Sequence, residues 1–589
     1  MVNFALWKRM LTAVCLSCTA SVLAEPSAKP WQNDAKVWLI EQGKASGVYK
    51  TLSDFIFPRP NLGPPLMRPG RCYEGFVRTI EIRSTRAERF SGRSGWTGFF
   101  LRQVLPPTHS KVLKAQLDIA EGDWLSQEKM VAVQEKLRAQ PYLRQVYAFS
   151  HPCAHTSEDV RLTLVAQESF PMGLTLDKGA FLLHHKHLMG FGHQMALRMC
   201  YLTQAGALAW SGWGVSYKLP MATAGLEGKF AYQNTAQESG QMVSLQRLFS
   251  NAREDAGEIA WNHTRRINQR IPLDDHPRWA EATTYAFEKQ SVWYGRRFFS
   301  QQNAPFSYPL FLAGKLSRFH YRRRPFVSMS QNKHFHHHTL ILGSVGTSKK
   351  AFYKETYVND TGPQEQVPFG QLLSVLAGYE LGEFTNRPYF RVDAAIAKKT
   401  LAGYVHGSCC IGSFMVGDEL EQGIVKTSVQ YHTPLMHARN HRLRQFISLG
   451  YLRGIRLFTG EFVRMGEGNT TTVVEKPLLG GEMKLHADLD TVVWPLAPLW
   501  GFHTAWVGTS RIVVLQASDH RIHQPTFCEH VGVALRVRHP EWAFGTVCIT
   551  FKHHPGSGGF GFDIGGTLPY LSSALNIREP GTIYPLERS

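Results

Sequence analysis

Hydrophobic and polar positions alternate with a period of two over most of this chain, which is the signature of strands with two unlike faces. In Ile424 to His432, Val425, Thr427, Val429 and Tyr431 fall on one side, and Lys426, Ser428, Gln430 and His432 on the other. In His530 to Arg538, Val531, Val533, Leu535 and Val537 oppose Gly532, Ala534, Arg536 and Arg538. Phe390, Val392, Ala394 and Ile396 alternate with Arg391, Asp393, Ala395 and Ala397. Near the end, Val547, Ile549 and Phe551 alternate with polar neighbours, and Phe560, Phe562 and Ile564 with Gly561, Asp563 and Gly565. Clusters of Gly, Pro, Asn and Asp separate these runs.

Before Met172 the texture is different. Val77 to Arg83 predicts a strand, and Ser126 caps a predicted helix whose Met130, Val133 and Leu137 share one face. Pro141 ends that helix. Gln145 to Phe149 and Val160 to Ala166 then predict a strand pair, with Val160, Leu162, Leu164 and Ala166 on one side. Residues 74–170 therefore read as a small α+β domain.

Alternation alone fits a soluble β-sandwich or a membrane barrel, and three features favour the barrel. No uncharged apolar run is long enough for a helical span. Aromatics stand at expected strand ends (Tyr389 and Phe390, Trp494, Trp500 and Trp506), as interface girdles would require. The chain after Phe170 divides into about 16 strands at roughly 26 residues per strand and connection. A closed barrel also satisfies every backbone group without water. The expected fold is mainly β: an about 16-stranded transmembrane β-barrel over 171–589, preceded by one α+β domain over 74–170.

The N-terminus adds a compartment. Lys8 and Arg9 precede an apolar stretch from Met10 to Leu23, and Val22 and Ala24 hold the small-residue positions before Glu25. This predicts a signal peptide over 1–24, followed by a Pro-rich segment over 25–73 with a short helix near Lys36 to Gln42. Seven cysteines follow the signal at irregular spacing, so no disulfide scaffold is expected, and a single Cys72–Cys153 bridge stays open.

The residues also resemble a known family. Ile119-Ala-Glu-Gly-Asp-Trp-Leu-Ser126, then Leu137 to Val146, then Val160 to Val165, resembles the second half of a POTRA domain. Next, His187-Leu188-Met189-Gly190-Phe191-Gly192 is similar to that family's first barrel hairpin, with Leu188, Gly190 and Gly192 in its pattern and His187 in place of the usual Asn. Val292 to Phe298 and Gln364 to Gly370 look like barrel segments of a divergent branch. The family is the outer-membrane assembly and secretion superfamily that includes BamA, TamA and FhaC, and the resemblance covers 74–566. It implies a Gram-negative outer membrane, a periplasmic N-terminal domain, and a role in inserting membrane proteins or translocating polypeptides. The implied partners are unfolded outer-membrane or secreted polypeptide clients, outer-membrane lipid and periplasmic accessory proteins. The alternative is a passive pore or structural barrel without assembly activity.

The family's inward loop carries a valine-arginine-glycine-phenylalanine type motif whose Arg meets a carboxylate. The nearest dipeptide is Arg453-Gly454, read either as that lumen lock or as a lumen-facing barrel arginine, while Glu467 to Val473 has no Arg. Phe560, Gly561, Phe562 and Ile564 form the last predicted strand, next to Gly556, Gly558 and Gly559. Glycine weakens pairing, so this strand reads as a labile seam or as an ordinary tight hairpin.

Composition changes the picture in two places. Of 589 residues, 43% are hydrophobic and 19% charged, with 35 Phe, 20 Tyr and 14 Trp, which excludes disorder. A net charge of +19 would suit nucleic acid, but no nucleic-acid motif accompanies it; the basic triplet Arg322-Arg323-Arg324 better fits a lumen wall or lipid phosphates. Histidines number 26, and the runs at His184-His185-Lys186-His187 and His334-Phe335-His336-His337-His338 invite a metal reading. Alternation would split neighbours between faces and no carboxylate completes either run, so exposed loops are expected and no metal, cofactor or catalytic residue is assigned. Neither a G-x-S-x-G elbow, a zinc-protease helix motif nor a P-loop occurs, so no enzyme is expected.

Overall fold

A computed structural model describes residues 73–85, then 108–566 apart from stretches at connections, chiefly 248–254, 269–282, 299–308, 465–479, 497–501, 517–525 and 539–545, and lastly 575 and 579–582. The signal, the Pro-rich segment with its short helix, Cys72, Trp500 and the Glu467 to Val473 stretch lie outside the described residues.

The small α+β unit has strands β1 (Gly75–Thr85), β2 (Trp124–Leu125), β3 (Leu143–Cys153) and β4 (Thr156–Glu168), with helices α1 (Ser110–Lys114) and α2 (Gln127–Arg138). The sheet order is β2-β1-β4-β3, with β1 parallel to β4 and β3 antiparallel to it. Ser126 Oγ accepts the Lys129 N–H at 3.2 Å, capping α2 as its sequence predicts. Val133 and Leu137 of α2 meet Val160, Leu162, Leu164 and Ala166 of β4 in one buried core. Period 3.6 in the helix and period 2 in the strand thus point at the same interior.

Among the described residues from Met172 onward, 21 strand segments close into a barrel. Glu419–His432 and the three-residue Met436–Ala438 pair with the same partner, His441–Ile455, so merging them leaves 20 spanning strands. The expectation of about 16 was too low because the connections are shorter than assumed. Residues 401–402 and 417–418, for example, are two-residue links between 14-residue strands.

The sense of the alternation identifies the solvent. In Leu310–Arg323 the exposed positions include Leu310, Leu312 and Leu316, whereas the buried ones include Lys315 and Ser317. Phe390, Val392 and Ile396, Val531 and Val533, and Phe560, Phe562 and Ile564 are likewise exposed. An aqueous sandwich would bury these residues. A barrel with apolar side chains outward and polar ones inward is built for lipid. The aromatic girdle is only partly realised. Phe390 and Trp506 face outward, but Tyr389 and Trp494 are buried within, against Phe414 at 4.6 Å and Tyr357 at 5.4 Å.

Candidate functional site

The first hairpin turn joins the barrel to the small domain. Met189, Gly190 and Gly192 have φ of 53°, 74° and 80°, a left-handed turn that glycine adopts without steric cost. Leu188 pairs with His193 at its base. The Gly190 carbonyl accepts the His109 N–H at 3.1 Å, and the His109 ring stacks on Phe191 at 4.6 Å. Tyr142 stacks on His187 at 4.2 Å, and a Cβ at Gly192 would meet the Tyr142 ring at 3.4 Å. Burial pushes the Tyr142 hydroxyl up to about 12, opposed by the Gln116 side-chain hydrogen bond. The hairpin expected from the resemblance is thus the docking point of the α+β unit.

Turns of an antiparallel barrel alternate between its ends. With the 189–192 turn facing the small domain, the connections at 324–337, 383–386 and 417–418 and the stretch after Ile455 lie at the far end. There a buried polar cluster fills the lumen. Arg387 donates to Glu380 Oε1 at 2.7 Å, Glu421 Oε2 at 2.5 Å and Gln422 Oε1 at 2.6 Å. Its guanidinium lies 4.0 Å from the Phe414 ring centroid. Lys333 pairs with Glu421 at 2.8 Å, and Gln422 donates to Glu461 at 2.8 Å. Outside the strands, Arg324 forks onto Glu383 at 2.5 and 2.8 Å, and these hydrogen bonds pull the Glu383 carboxyl down to about 2.

Phe458 and Glu461 belong to the connection after His441–Ile455, and this connection folds inward. Val463 is buried against Val513 and Leu515 on the inner wall, and Val463–Arg464 pairs with Gly480–Gly481. Toward the near end, an apolar cluster including Tyr404, Phe446, Val492 and Trp494 receives Leu575 from the segment after the last strand. Ser348 donates to the Leu575 carbonyl at 3.3 Å, Lys315 to Glu579 at 3.0 Å, and Arg391 to the Gly581 carbonyl at 2.8 Å. Leu575 and residues 579–582 therefore lie along the lumen wall.

Arg453 is elsewhere. It shares strand parity with exposed Leu449, while Arg444, Phe446, Gly450 and Gly454 are buried on the opposite parity. It faces outward, so neither the lumen lock nor the lumen-facing reading holds, and Gly454 packs inward beside Leu457. Inward arginine–carboxylate pairs of this wall include Arg444 with Glu355 at 3.1 Å and Arg511 with Asp488. The inward loop itself carries a different arginine, at Val463-Arg464, which pairs with Gly480–Gly481. Its loss of alternation after Ile455 is the signal that could have found it.

Phe560, Gly561, Phe562 and Ile564 lie in the last strand, Gly559–Gly566, which closes on Met172–Asp177. The closing strands have eight and six residues, against 19 each in His338–Thr356 and Gln364–Gly382. The exposed-loop reading of His334 to His338 is corrected, since His334, His336 and His338 are all buried. Of the basic triplet, Arg322 pairs with Glu288 at 2.6 Å and Arg324 with Glu383.

No family model and no curated protein matches the chain. Solved structures do. BamA from Haemophilus ducreyi lacking POTRA domains 1–3 is similar at 10% identity and a TM-score of 0.39, over 83% of this chain and 84% of that one. CdiB from Escherichia coli gives 10% identity and 0.40, over 92% and 98%, and CdiB from Acinetobacter baumannii 10% and 0.37, over 90% and 98%. At such values none of these similarities assigns a function.

Proposed function

We propose that this chain is an outer-membrane barrel whose POTRA-like periplasmic domain, residues 74–170, receives unfolded polypeptides and passes them to the barrel for insertion or translocation. The observation that carries this reading is a strand at the sheet margin of the unit that docks on the barrel's 189–192 turn. β3 pairs on one side with β4 and lies at the sheet margin, with Tyr147 exposed. A margin strand can take up an extended client through main-chain hydrogen bonds without a fixed sequence. The same unit docks on the 189–192 turn, beside the strands flanking the closing junction. The six- and eight-residue closing strands are much shorter than the 19-residue strands His338–Thr356 and Gln364–Gly382 and are the natural place for a client strand to enter.

A passive pore is less well supported, because Leu575 and the 579–582 segment lie in the lumen with the inward loop. The test is a photo-crosslinking residue at Tyr147 with a control at exposed Arg161 on β4, which is paired on both sides. Adducts with unfolded outer-membrane or secreted polypeptides at Tyr147 but not at Arg161 support edge capture. Equal labelling at both, or none at either with the barrel correctly folded, removes it.

A further inference from the structure

Three side chains that the proposed role does not use converge inside the far end of the barrel. One ligand atom each from His336, His338 and Glu380 lies within 4.8 Å of the others, and all three residues are buried. His336 follows the 3-10 turn Lys333–Phe335, His338 opens the strand His338–Thr356, their ring centroids lie 4.6 Å apart, and Glu380 reaches them from the neighbouring strand Gln364–Gly382.

The hydrogen bonds fix which ring nitrogens face one another. His336 Nδ1 is 2.6 Å from the Lys333 carbonyl oxygen, and His338 Nδ1 is 3.1 Å from the His336 carbonyl oxygen. A carbonyl only accepts, so both Nδ1 atoms carry hydrogen, and a neutral ring then has its lone pair on Nε2. His336 Nε2 faces Glu380 Oε1 at 3.1 Å, while that oxygen already accepts from Arg387 Nε at 2.7 Å. Two lone pairs so close in a buried pocket repel unless a cation lies between them. Glu380 Oε2 is buried with no hydrogen-bond partner. The surrounding charge agrees: Lys333 and Arg387 pair with Glu380 and Glu421, and a third carboxylate, Glu461, accepts from Gln422 in the same cluster.

We propose that His336 Nε2, His338 Nε2 and the Glu380 carboxylate bind a divalent transition-metal ion of the zinc class. Two imidazoles and a carboxylate suit such an ion, and imidazoles oriented by Nδ1–H bonds to backbone carbonyls are the usual supporting arrangement. Metal–nitrogen bonds of about 2.1 Å put tetrahedral ligand atoms roughly 3.4 Å apart, close to the His336–Glu380 separation. The ion would tie the 324–337 connection to the inner wall, and three protein ligands leave a position for water.

The test uses the full chain folded in detergent, stripped with a chelator and titrated with zinc and with cobalt. Expected are about one tightly held zinc per chain and a visible tetrahedral cobalt spectrum. His336→Gln and His338→Gln should each weaken zinc binding by more than about 100-fold and abolish that spectrum. His437→Gln, at an exposed histidine on another connection, should change neither. Both ligand variants preserve a polar side chain, and heat-modifiable gel mobility reports that the barrel is folded. Zinc binding unaltered in folded His336→Gln and His338→Gln, or no zinc retained by the wild type, overturns the proposal. So does a nitrogen NMR spectrum of the zinc-treated protein showing His336 with both ring nitrogens protonated, since a proton would then fill the gap.

Discussion

Arg387 Nε donates to Glu380 Oε1 at 2.7 Å inside the barrel, and each side chain is only 1% exposed. Guanidinium and carboxylate sit on strands joined by the four-residue connection at 383–386, in a place where neither charge is solvated alone. Arg387→Met leaves the buried Glu380 without its guanidinium and removes one of two partners each from Glu421 and Gln422. The expected cost is about 3–5 kcal/mol, the usual penalty for leaving one member of a buried pair uncompensated. It is read as a lower temperature for loss of the compact band on a semi-native gel, and the Arg387→Met/Glu380→Met double variant should recover part of it. Wild-type stability in the single variant would contradict the assignment.

The lumenal C-terminal segment predicts a conductance change. Deleting residues 567–589 removes Leu575 from the apolar cluster, takes Glu579 from Lys315 and leaves Arg391 with Asp393 alone. Single-channel recordings in planar bilayers should show larger and steadier openings than the full chain. Lys315→Glu should act in the same direction, and Glu579→Lys on that background should reverse it. Unchanged conductance on deletion would show that the segment does not obstruct ion flow.

The outward apolar face can be tested against water directly. Leu316 is exposed near the middle of Leu310–Arg323. Leu316→Arg should cost roughly 2–4 kcal/mol for folding into lipid vesicles, as expected near the membrane midplane. An exposed position on a soluble sandwich would tolerate the same change with little effect. Urea titration of vesicle-inserted protein distinguishes the two.

Alkaline pH should weaken the docked domain through Tyr142. Its hydroxyl is pushed from 10.0 up to about 12 by burial, so ionisation is easier in the unfolded chain. Its contribution is therefore fully present below pH 10 and is lost as pH rises toward 12. An ultraviolet tyrosinate titration of wild type against Tyr142→Phe should show one late-ionising tyrosine disappear. The variant should also lose less stability across that window.

The period of the strands and the helix from Gln127 to Arg138 with its Ser126 cap are legible in the amino-acid sequence alone. These are local properties: alternation, capping and proline position act within a few residues. The sequence could not decide which of two faces meets lipid, because a period of two defines the faces without orienting them. Arg453 was assigned to the lumen on its dipeptide, yet its parity with Leu449 turns it outward. Strand number was also beyond local reading, since it depends on how many short links such as 401–402 and 417–418 replace longer loops.

Only the tertiary structure brought Glu380 to His336 and His338, Lys315 to Glu579, and Val463 to Val513. Glu380 lies 44 positions from His336, and Glu579 lies 264 from Lys315. Such meetings follow from register and closure around the barrel, which are set by the summed pairing of many strands. A histidine run without a nearby carboxylate therefore looks like an exposed loop in the sequence. Once the sheet closes, the same histidines face a buried carboxylate across the neighbouring strand.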